Sequence, residues 1–457
     1  MIGNGALTLR PRALFRLRGI LGGAAVTAAA VALAGGMLVT AASAGAAASA
    51  GGWGRPRGLP VPPGFAGGGD STALSCASRW DCTAVGIYQV RSGKDLFFAV
   101  TERRGVWGRA VSIAAPVGSK HVRFVYPVLS CASAGNCVAG GLYGPGAFVV
   151  SETNGIWGRA RKVRSDPAAI SCPAPGDCTA ALVRGYLISE KHGTWGKAFR
   201  VPGLAALFSG RPTDFGVISC PSPGNCTAAG GYEGPGFIDR SFVVTERHGT
   251  WGNAQPVASR HGAGLYMSAI SCTSAGNCVA GGYLYKLAGR QGAFEVTQTD
   301  GTWGTAEPLP GTVKLGGGID QLDCPAAGAC SAAGLFYVGR QVRPFVSTER
   351  NGTWRWARAV TGAHRGPSPT LQVLSCAAAG RCVLAGAIAA SRGVQAATAA
   401  EVNGHWGRAR VLPGMRAVDG GQDSAIGAVS CPPRSPCTAV GSFGILVSGH
   451  LFVTAQS

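Results

Sequence analysis

The fold of this chain is decided by a stretch that begins S-C-P-S-P-G-N-C at residues 219–226. It continues as T-A-A-G-G-Y at residues 227–232 and S-F-V-V-T-E-R-H-G-T-W-G at residues 241–252. Versions of this unit recur, with first cysteines at Cys76, Cys131, Cys172, Cys220, Cys272, Cys324, Cys376 and Cys431. The spacing between successive first cysteines is 41 to 55 residues. Such a period, filled with short apolar runs, is typical of propellers and other repeat arrays.

Each unit contains four short apolar runs that are predicted to be β-strands. The first run enters the first cysteine, the second follows the second cysteine, the third precedes a Gly-containing turn, and the fourth opens with tryptophan. Gly-Asn or Gly-Asp pairs between the cysteines, as at residues 224–225, favour tight turns. A glycine four residues after the second cysteine suits strands that approach closely near a central axis. Each unit is therefore predicted to form a four-stranded antiparallel blade.

The two ends of the repeat region complement one another. The last unit has no tryptophan strand after Cys437, whereas G-W-G-R at residues 52–55 supplies such a strand before the first unit. The fold class predicted from this arrangement is all-β, an eight-bladed β-propeller whose N-terminal strand completes the C-terminal blade. Closure removes free sheet edges between the first and last units, whereas an open stack would leave both halves unpaired.

Residues 1–48 are predicted to be a signal peptide, followed by a single propeller domain over residues 49–457. Arg10, Arg12, Arg16 and Arg18 form a basic start, an Ala/Gly/Val/Leu run follows, and A-S-A at residues 42–44 is a cleavage site of the expected type. The run is poor in Leu and Ile, so an uncleaved membrane anchor is the weaker interpretation. We expect a secreted protein, extracellular or associated with the cell wall.

Sixteen cysteines in eight C-x5-C pairs predict eight disulfides, each within one blade. Zinc binding would need two more donors per pair, and seven scattered histidines do not supply them. Disulfides suit an oxidising exterior, and closing so small a loop stabilises the fold by about 2 kcal/mol per bridge. No metal or cofactor is predicted. The predicted pairs are Cys76–Cys82, Cys131–Cys137, Cys172–Cys178, Cys220–Cys226, Cys272–Cys278, Cys324–Cys330, Cys376–Cys382 and Cys431–Cys437.

The formal net charge of +20 becomes +16 when the four arginines of the signal peptide are removed. Such an excess favours anionic partners. In the connections between second and third strands and between a tryptophan and the next cysteine, 29 Lys and Arg face 10 acids. The rest of the domain carries 8 Lys and Arg and 11 acids. Some of these arginines, such as Arg109 and Arg159, belong to outer strands, but the direction of the asymmetry remains.

The two faces of the ring are predicted to differ. In a four-stranded blade, the first-to-second and third-to-fourth turns share one face, here nearly invariant and called the constant face. The other connections form the variable face, which varies in length and takes in or adjoins all nine tyrosines. Function usually lies on loops held by a rigid scaffold, and Tyr and Arg together suit sugars and anions. The candidate ligand-binding residues are Tyr126, Tyr266, Arg123, Arg211, Arg260, Lys286, Arg290, Arg340, Arg343 and Arg365.

Three repeated polar or aromatic positions are interpreted as structural, and no catalytic residue is predicted. An acid, or Gln298 in one unit, stands five residues before each tryptophan and is expected to accept hydrogen bonds from its own turn. The tryptophans are expected to pack between blades. A serine precedes the first cysteine in seven units, and Asp323 in the eighth, but no histidine recurs nearby to activate it.

The stretch T-E-R-N-G-T-W at residues 348–354 resembles the Asp-box hairpin of bacterial neuraminidase repeats. The whole repeat is similar to those of exported actinobacterial β-propeller proteins, which have no assigned activity. The resemblance covers about residues 52–457 and implies the propeller fold. Its turn is one residue shorter than in S-x-D-x-G-x-T-W, and Arg or Thr stands at the Asp position. It therefore implies no sialidase mechanism.

The leading prediction of function is a non-enzymatic binding module or scaffold. Its variable face would engage an anionic envelope polymer, an acidic glycan or a partner protein, and no specific nucleic acid. The protein is expected to be a monomer without a membrane span after cleavage of the signal peptide. The alternative is a glycan hydrolase or lyase, because two carboxylates at the mouth of the ring could cleave a glycosidic bond. A structural surface protein is a third interpretation. The loop acids available for catalysis are Asp70, Asp166, Asp214, Asp320 and Asp423.

Overall fold

The computed structural model describes a single ring of antiparallel sheets. The residues that it describes are 52–67, 72–114, 116, 127–143, 146–207, 215–234, 238–285, 291–313, 315–338, 341–363, 370–391, 393–444 and 449–457. The predicted signal peptide lies outside this part of the chain.

Each repeat forms one blade, and its first three strands are long. The first strands are Thr72–Ser78, Val128–Ser133, Pro167–Ala174, Phe215–Ser222, Gly264–Ser274, Gly318–Ala326, Val373–Ala378 and Ser424–Ser430. The second strands are Asp81–Val90, Asn136–Tyr143, Asp177–Leu182, Asn225–Glu233, Asn277–Tyr285, Ala329–Val338, Arg381–Ala390 and Thr438–Phe443. The third strands are Asp95–Arg103, Gly146–Thr153, Tyr186–Lys191, Asp239–Arg247, Gln291–Thr299, Gln341–Arg350, Gly393–Val402 and His450–Ala455.

The fourth, outer strand of blades 1 to 7 consists of two short pieces rather than one run. The first piece ends at the repeated tryptophan, and the second begins four residues after it and pairs with the same third strand. The pieces are Val106–Trp107 and Val111–Ile113, Ile156–Trp157 and Arg161–Val163, Thr194–Trp195 and Phe199–Arg200, Thr250–Trp251 and Gln255–Pro256, Thr302–Trp303 and Glu307–Pro308, Thr353–Trp354 and Arg358–Ala359, and His405–Trp406 and Arg410–Val411.

The N-terminal segment completes blade 8, as the sequence predicts. Strand Arg57–Gly58 pairs antiparallel with His450–Ala455, placing Arg57 opposite Val453. Trp53 forms a bridge with Gln456, and the amide of Leu59 donates to the carbonyl of Leu451 at 3.0 Å. Residues almost 400 positions apart therefore share one sheet, and the ring has eight blades.

The first strands line the centre of the ring, where each contacts the first strand of the next blade, including blade 8 with blade 1. Within blade 5 the second strand lies so close to the first strand that a Cβ atom at Gly282 would collide with the carbonyl oxygen of Tyr266. A Cβ at Gly334 would collide with the carbonyl of Gly318 in the same way. At these positions glycine is required because the first two strands of the same blade approach closely, whereas the sequence predicted crowding of strands near the central axis.

The hydrophobic core is divided into eight clusters, and each lies between two successive blades. The cluster between blades 8 and 1 includes Leu74, Phe98 and Val453, with Trp107 packed against it. One repeated tryptophan packs in every cluster: Trp157, Trp195, Trp251, Trp303, Trp354, Trp406, Trp53 and Trp107 in ring order from the interface of blades 1 and 2. The predicted role of these tryptophans in inter-blade packing is confirmed, and Trp53 takes the position that blade 8 lacks.

All eight predicted disulfides are present, each joining cysteines six residues apart within one blade. Other regular structure is minor. Strand Phe65–Gly67 pairs with the second strand of blade 1, and the short helices are Leu204–Leu207, Arg416–Asp419 and the 3-10 turn Arg260–Gly262. Within the described residues, no helix is long and apolar enough to span a membrane.

Candidate functional site

The serine before each first cysteine joins one blade to the next. Its Oγ accepts a hydrogen bond from the amide of the first cysteine in the following blade, as from Cys131 to Ser75 at 3.1 Å. Asp323 does the same through Oδ2 for Cys376 at 2.8 Å, which explains why an acid can replace serine. The amide of Cys76 donates to Ser430, so the eight bonds form a closed circle. At every junction between blades, the side chain before the first cysteine therefore accepts one of these bonds, a serine hydroxyl at seven junctions and the Asp323 carboxylate at the eighth.

The repeated glutamates also face the neighbouring blade. Thr101 donates to Glu152, and Ser151 donates to Glu190 at 2.6 Å, in each case from the blade before. The indole of Trp195 donates to the same Ser151 hydroxyl at 2.9 Å. The prediction that these acids accept bonds from their own turn is therefore wrong for Glu152 and Glu190, because their side-chain partners lie across the seam between blades.

Burial shifts the pKa of these acids. It raises the pKa of each carboxyl above the ordinary value for glutamate, because the charged form loses water on entering the seam. Gln298 takes the same position in blade 5 and donates to Thr245 at 3.4 Å. Three of these buried acids, Glu152, Glu190 and Glu401, accept from hydroxyls, which fits a structural role in the seams. The acids with a raised pKa are Glu102, Glu152, Glu190, Glu246, Glu349 and Glu401.

The constant face is closed by hydrogen bonds between its two turns. In blade 4 the amide of Gly249 donates to the carbonyl of Gly224 at 2.8 Å, and Asn225 Oδ1 accepts from the amide of His248. His248 and Gly249 both have positive φ, as a two-residue hairpin turn of type I′ requires. The same glycine-to-glycine bond occurs in blades 2, 3, 5, 6 and 7, so this face offers one repeated arrangement.

Three of the ten predicted ligand-binding residues lie in the described part of the chain. Arg260 forms a salt bridge with Glu307, 2.6 Å between Nε and Oε1, so its charge is already partnered. Arg343 donates to Gln341 at 3.0 Å on the third strand of blade 6. Tyr266 is half-buried and meets the ring of Tyr283 edge to face. The residues outside the described part are Tyr126, Arg123, Arg211, Lys286, Arg290, Arg340 and Arg365.

A cluster of tyrosines lies where blades 5 and 6 reach the variable face. The hydroxyl of Tyr283 donates to Oδ1 of Asp320, across the one bridge that joins these two blades into a single sheet in the described chain. Burial raises the pKa of Asp320 to about 6, and burial together with that carboxylate raises the pKa of Tyr283. Tyr285 and Tyr337 lie close enough to Tyr283 to affect it electrostatically, and Tyr337 is 48% exposed.

Most of the other tyrosines cap their blades. Tyr88 is buried and lies 2.6 Å from the hydroxyl of Ser112, while Tyr143 and Tyr232 are also buried. Tyr186 lies under the guanidinium of Arg164, 4.8 Å from the ring centre. Only the cluster of blades 5 and 6 combines exposed, half-buried and acid-bonded tyrosines in the described residues.

The described acids of the alternative, catalytic interpretation are engaged. Asp320 is bonded to Tyr283 and buried. Asp423 accepts from the amide of Val394 at 2.8 Å and so fixes the second-to-third connection of blade 7. Asp166 lies half-buried before the first strand of blade 3. Asp70 and Asp214 lie outside the described residues, and within them no group of three or more acids, histidines or cysteines could hold a metal ion.

The outer rim, meaning the outer strands and the residues between their two pieces, carries many exposed cations. These residues follow the repeated tryptophan by one to five positions, so they lie at the circumference and on neither face. Part of the positive charge that the sequence assigned to the variable face therefore belongs to the rim, as expected for Arg109 and Arg159. The exposed residues are Arg55, Arg57, Arg109, Arg159, Arg161, Lys162, Lys197, Arg200, Arg355, Arg358, Arg408 and Arg410.

Comparison with known proteins returns similar folds only. No family model and no curated protein matches the chain. Among solved structures, it is similar to YCF48 from Cyanidioschyzon merolae, with 15% identity, TM-score 0.43, and coverage of 76% of this chain and 99% of that one. The chain is also similar to the β-propeller domain of the Trilobed protease from Pyrococcus furiosus, with 8% identity, TM-score 0.42, and coverage of 74% of this chain and 97% of that one. It is similar as well to the WD40 β-propeller domain of Doa1, with 10% identity, TM-score 0.39, and coverage of 86% of this chain and 96% of that one.

Proposed function

We propose that this protein is an exported binding scaffold and not an enzyme. Its variable face engages an anionic envelope polymer, an acidic glycan or a partner protein outside the cell. The eight disulfides fit an oxidising compartment, and the predicted signal peptide and the resemblance to exported Asp-box-like propellers agree with export.

The observation that carries the proposal is the tyrosine cluster of blades 5 and 6. The rings of Tyr266 and Tyr283 pack edge to face, and the Tyr283 hydroxyl donates to Asp320. The side chain of Tyr337 is exposed to solvent. Rigid aromatic rings with polar edges present contact area at low cost in conformational entropy. This arrangement fixes aromatic surface beside the variable connections, where lysines and arginines are concentrated in the sequence.

The contrast between the faces supports binding rather than structural filling. On the constant face blades 2 to 7 repeat the same turn-to-turn bond, so the chemistry of this face is nearly uniform over those six blades. On the variable face the connections differ from blade to blade in length and sequence. Selection for a rigid frame alone does not require that difference, whereas recognition of one ligand does.

The test compares two variants that lose the same charge. We expect the wild-type protein to be retained on an acidic polysaccharide column at low salt and released by about 0.5 M salt, because exposed charges are screened. Neutralising four arginines of the variable face to Gln should lower the salt concentration at which the protein elutes, while neutralising four of the constant face should not. The variable set is Arg290, Arg340, Arg343 and Arg365, and the constant set is Arg79, Arg104, Arg381 and Arg434. Equal retention of both variants would contradict the proposal.

A further inference from the structure

The outer strand of blade 6 departs from the repeat at two successive positions. Seven units have glycine directly after the repeated tryptophan, but blade 6 has Arg355. Two residues after the tryptophan the other units have Arg, Lys, Asn or Thr, but blade 6 has Trp356. The amide of Arg355 still donates to Thr348 at 3.0 Å, as the glycines do in other blades. The backbone is therefore conserved, and only the side chains on the rim have changed.

Trp356 is placed on the surface although tryptophan is usually buried. Its side chain is 72% exposed, whereas the other nine tryptophans are buried or half-buried. One edge of its ring lies near Gly311 of the connection from blade 5, and most of the side chain is exposed. Nothing in the packing of the seam needs this ring, since Trp354 already fills that role.

A cleft of about 300 Å³ opens beside Trp356, between the outer strands of blades 6 and 7. Arg355, Arg358 and His405 line it together with Trp356 and Trp406. Both arginines are exposed, and no aspartate or glutamate lines the cleft. Glu401, which is bonded to the lining residue Thr348, has both of its oxygens occupied, by Thr348 and by Ser331. The cleft therefore combines an aromatic surface with uncompensated positive charge.

We propose that this rim cleft binds an acidic sugar residue of a glycan chain. The apolar face of a pyranose ring would stack on Trp356, and its carboxylate would lie between the guanidinium groups of Arg355 and Arg358. Arginine binds carboxylates through two parallel hydrogen bonds, and the cleft is of the size of small-ligand sites, about 300 to 1,000 Å³. The cleft lies on the rim, so the proposal does not depend on the variable face.

The rim beyond the cleft suits a continuing polymer rather than a single sugar. Arg408 and Arg410 are exposed on the outer strand of blade 7, and Arg55 and Arg57 are exposed on that of blade 8. A chain that enters the cleft and follows the circumference toward blade 8 would meet a cation pair on each outer strand. Affinity for an acidic oligosaccharide should therefore rise with its length.

The experiment is calorimetric titration of the protein with oligogalacturonates of defined length, with a neutral malto-oligosaccharide as the uncharged probe. Trp356→Ala should weaken oligogalacturonate binding about tenfold or more, since an aromatic stacking surface is lost. Arg355→Gln combined with Arg358→Gln should weaken it similarly. Arg159→Gln, at the same repeat position as Trp356 but in blade 2, should leave affinity unchanged. Unchanged melting temperatures would show that the variants fold.

The outcomes separate this proposal from the variable-face proposal and from simple charge attraction. The proposal is supported if Trp356→Ala loses affinity while the variant with four neutralised arginines on the variable face keeps it. It is overturned if Trp356→Ala binds as wild type, if the neutral oligosaccharide binds equally well, or if no oligogalacturonate binds. Binding of inorganic polyphosphate with the same affinity and the same sensitivity to Trp356→Ala would also overturn it, since no sugar would then be recognised.

Discussion

The seam between blades 6 and 7 and the seam between blades 5 and 6 have the same backbone geometry but different polar interiors. In the first, Thr348 donates to Glu401 at 2.7 Å and accepts from the indole of Trp406 at 3.1 Å. Ser331 supplies a second donor to Glu401 at 2.9 Å. Every polar group of this set has a partner on the neighbouring blade.

The seam between blades 5 and 6 lacks that network. The hydroxyl of Thr297, which corresponds to Thr348, donates within its own strand to Glu295 at 3.4 Å. Oε2 of Glu349 and the indole nitrogen of Trp354 have no hydrogen-bond partner among the described residues. Glu295 stands where the same strand of blades 1 to 4 has Ala, Val or Leu. Burial, with Glu349 as the next cause, raises its pKa to about 7.

Strand pairing and apolar packing are therefore enough to repeat the blade, while the polar contacts between blades can vary. Removing the hydroxyl from a seam with complete hydrogen bonds should lower the stability of the protein. In a seam with crowded carboxyls, the stability should depend on pH.

The largest effect is expected from Thr348→Val. This variant leaves the Trp406 indole without an acceptor and removes a donor from Glu401, both in a buried seam. The free energy of unfolding should fall by about 3 kcal/mol, because buried groups left unsatisfied cost about 1 to 3 kcal/mol each. Denaturant unfolding monitored by circular dichroism measures it.

The matched control is Thr297→Val in the seam of blades 5 and 6. Its hydroxyl makes only the 3.4 Å bond to Glu295, and the side chain is exposed. We expect a change within about 0.5 kcal/mol, as for most surface substitutions. Equal losses in the two variants would mean that the two seams do not differ in the way described.

A smaller, pH-dependent effect is expected from Glu295→Gln. The folded-state pKa of about 7 lies above the ordinary value of 4.5, so the native state holds the proton over that interval. Stability that depends on Glu295 is therefore highest below pH 4.5, falls as the pH rises toward 7, and stays low above it. The variant should be more stable than wild type by about 1 to 2 kcal/mol at pH 8, with no gain at pH 4.

Unfolding curves of Glu295→Gln and wild type at several pH values measure this effect. The control is Glu233→Gln, which replaces an exposed acid on the second strand of blade 4. A gain at pH 4 that equals the gain at pH 8 would show that packing, and not the buried charge, causes the difference.

Much of the architecture could be predicted from the sequence because the repeat exposes it. The spacing of Cys76, Cys131 and their successors marks the blades, and Trp53 standing alone before the first unit marks the closure. The pairing of Arg57 with Val453 confirms that prediction. Here the signal is periodic, so each copy supports the others.

The partners of repeated side chains could not be predicted in the same way. A repeat shows that Ser75 and Glu152 occupy constant positions, but their partners, Cys131 and Thr101, lie on a neighbouring blade. Sequence distance within a unit therefore suggested the wrong partner for the acids. Trp356 was visible as a departure from the repeat, but only its exposure and the adjoining cleft distinguish it from a packing residue.

Closure of the ring by the N-terminal strand is the central claim, and amide hydrogen exchange tests it directly. The amides of Gly54 and Leu59 donate to Ala455 and Leu451 at 2.8 and 3.0 Å, and their segment precedes the first disulfide, so its peptides can be recovered intact. In the native protein we expect both amides to exchange at least about a thousandfold more slowly than in an unstructured peptide, because exchange requires opening of blade 8. Exchange at the rate of an unstructured peptide would contradict the closed eight-bladed ring.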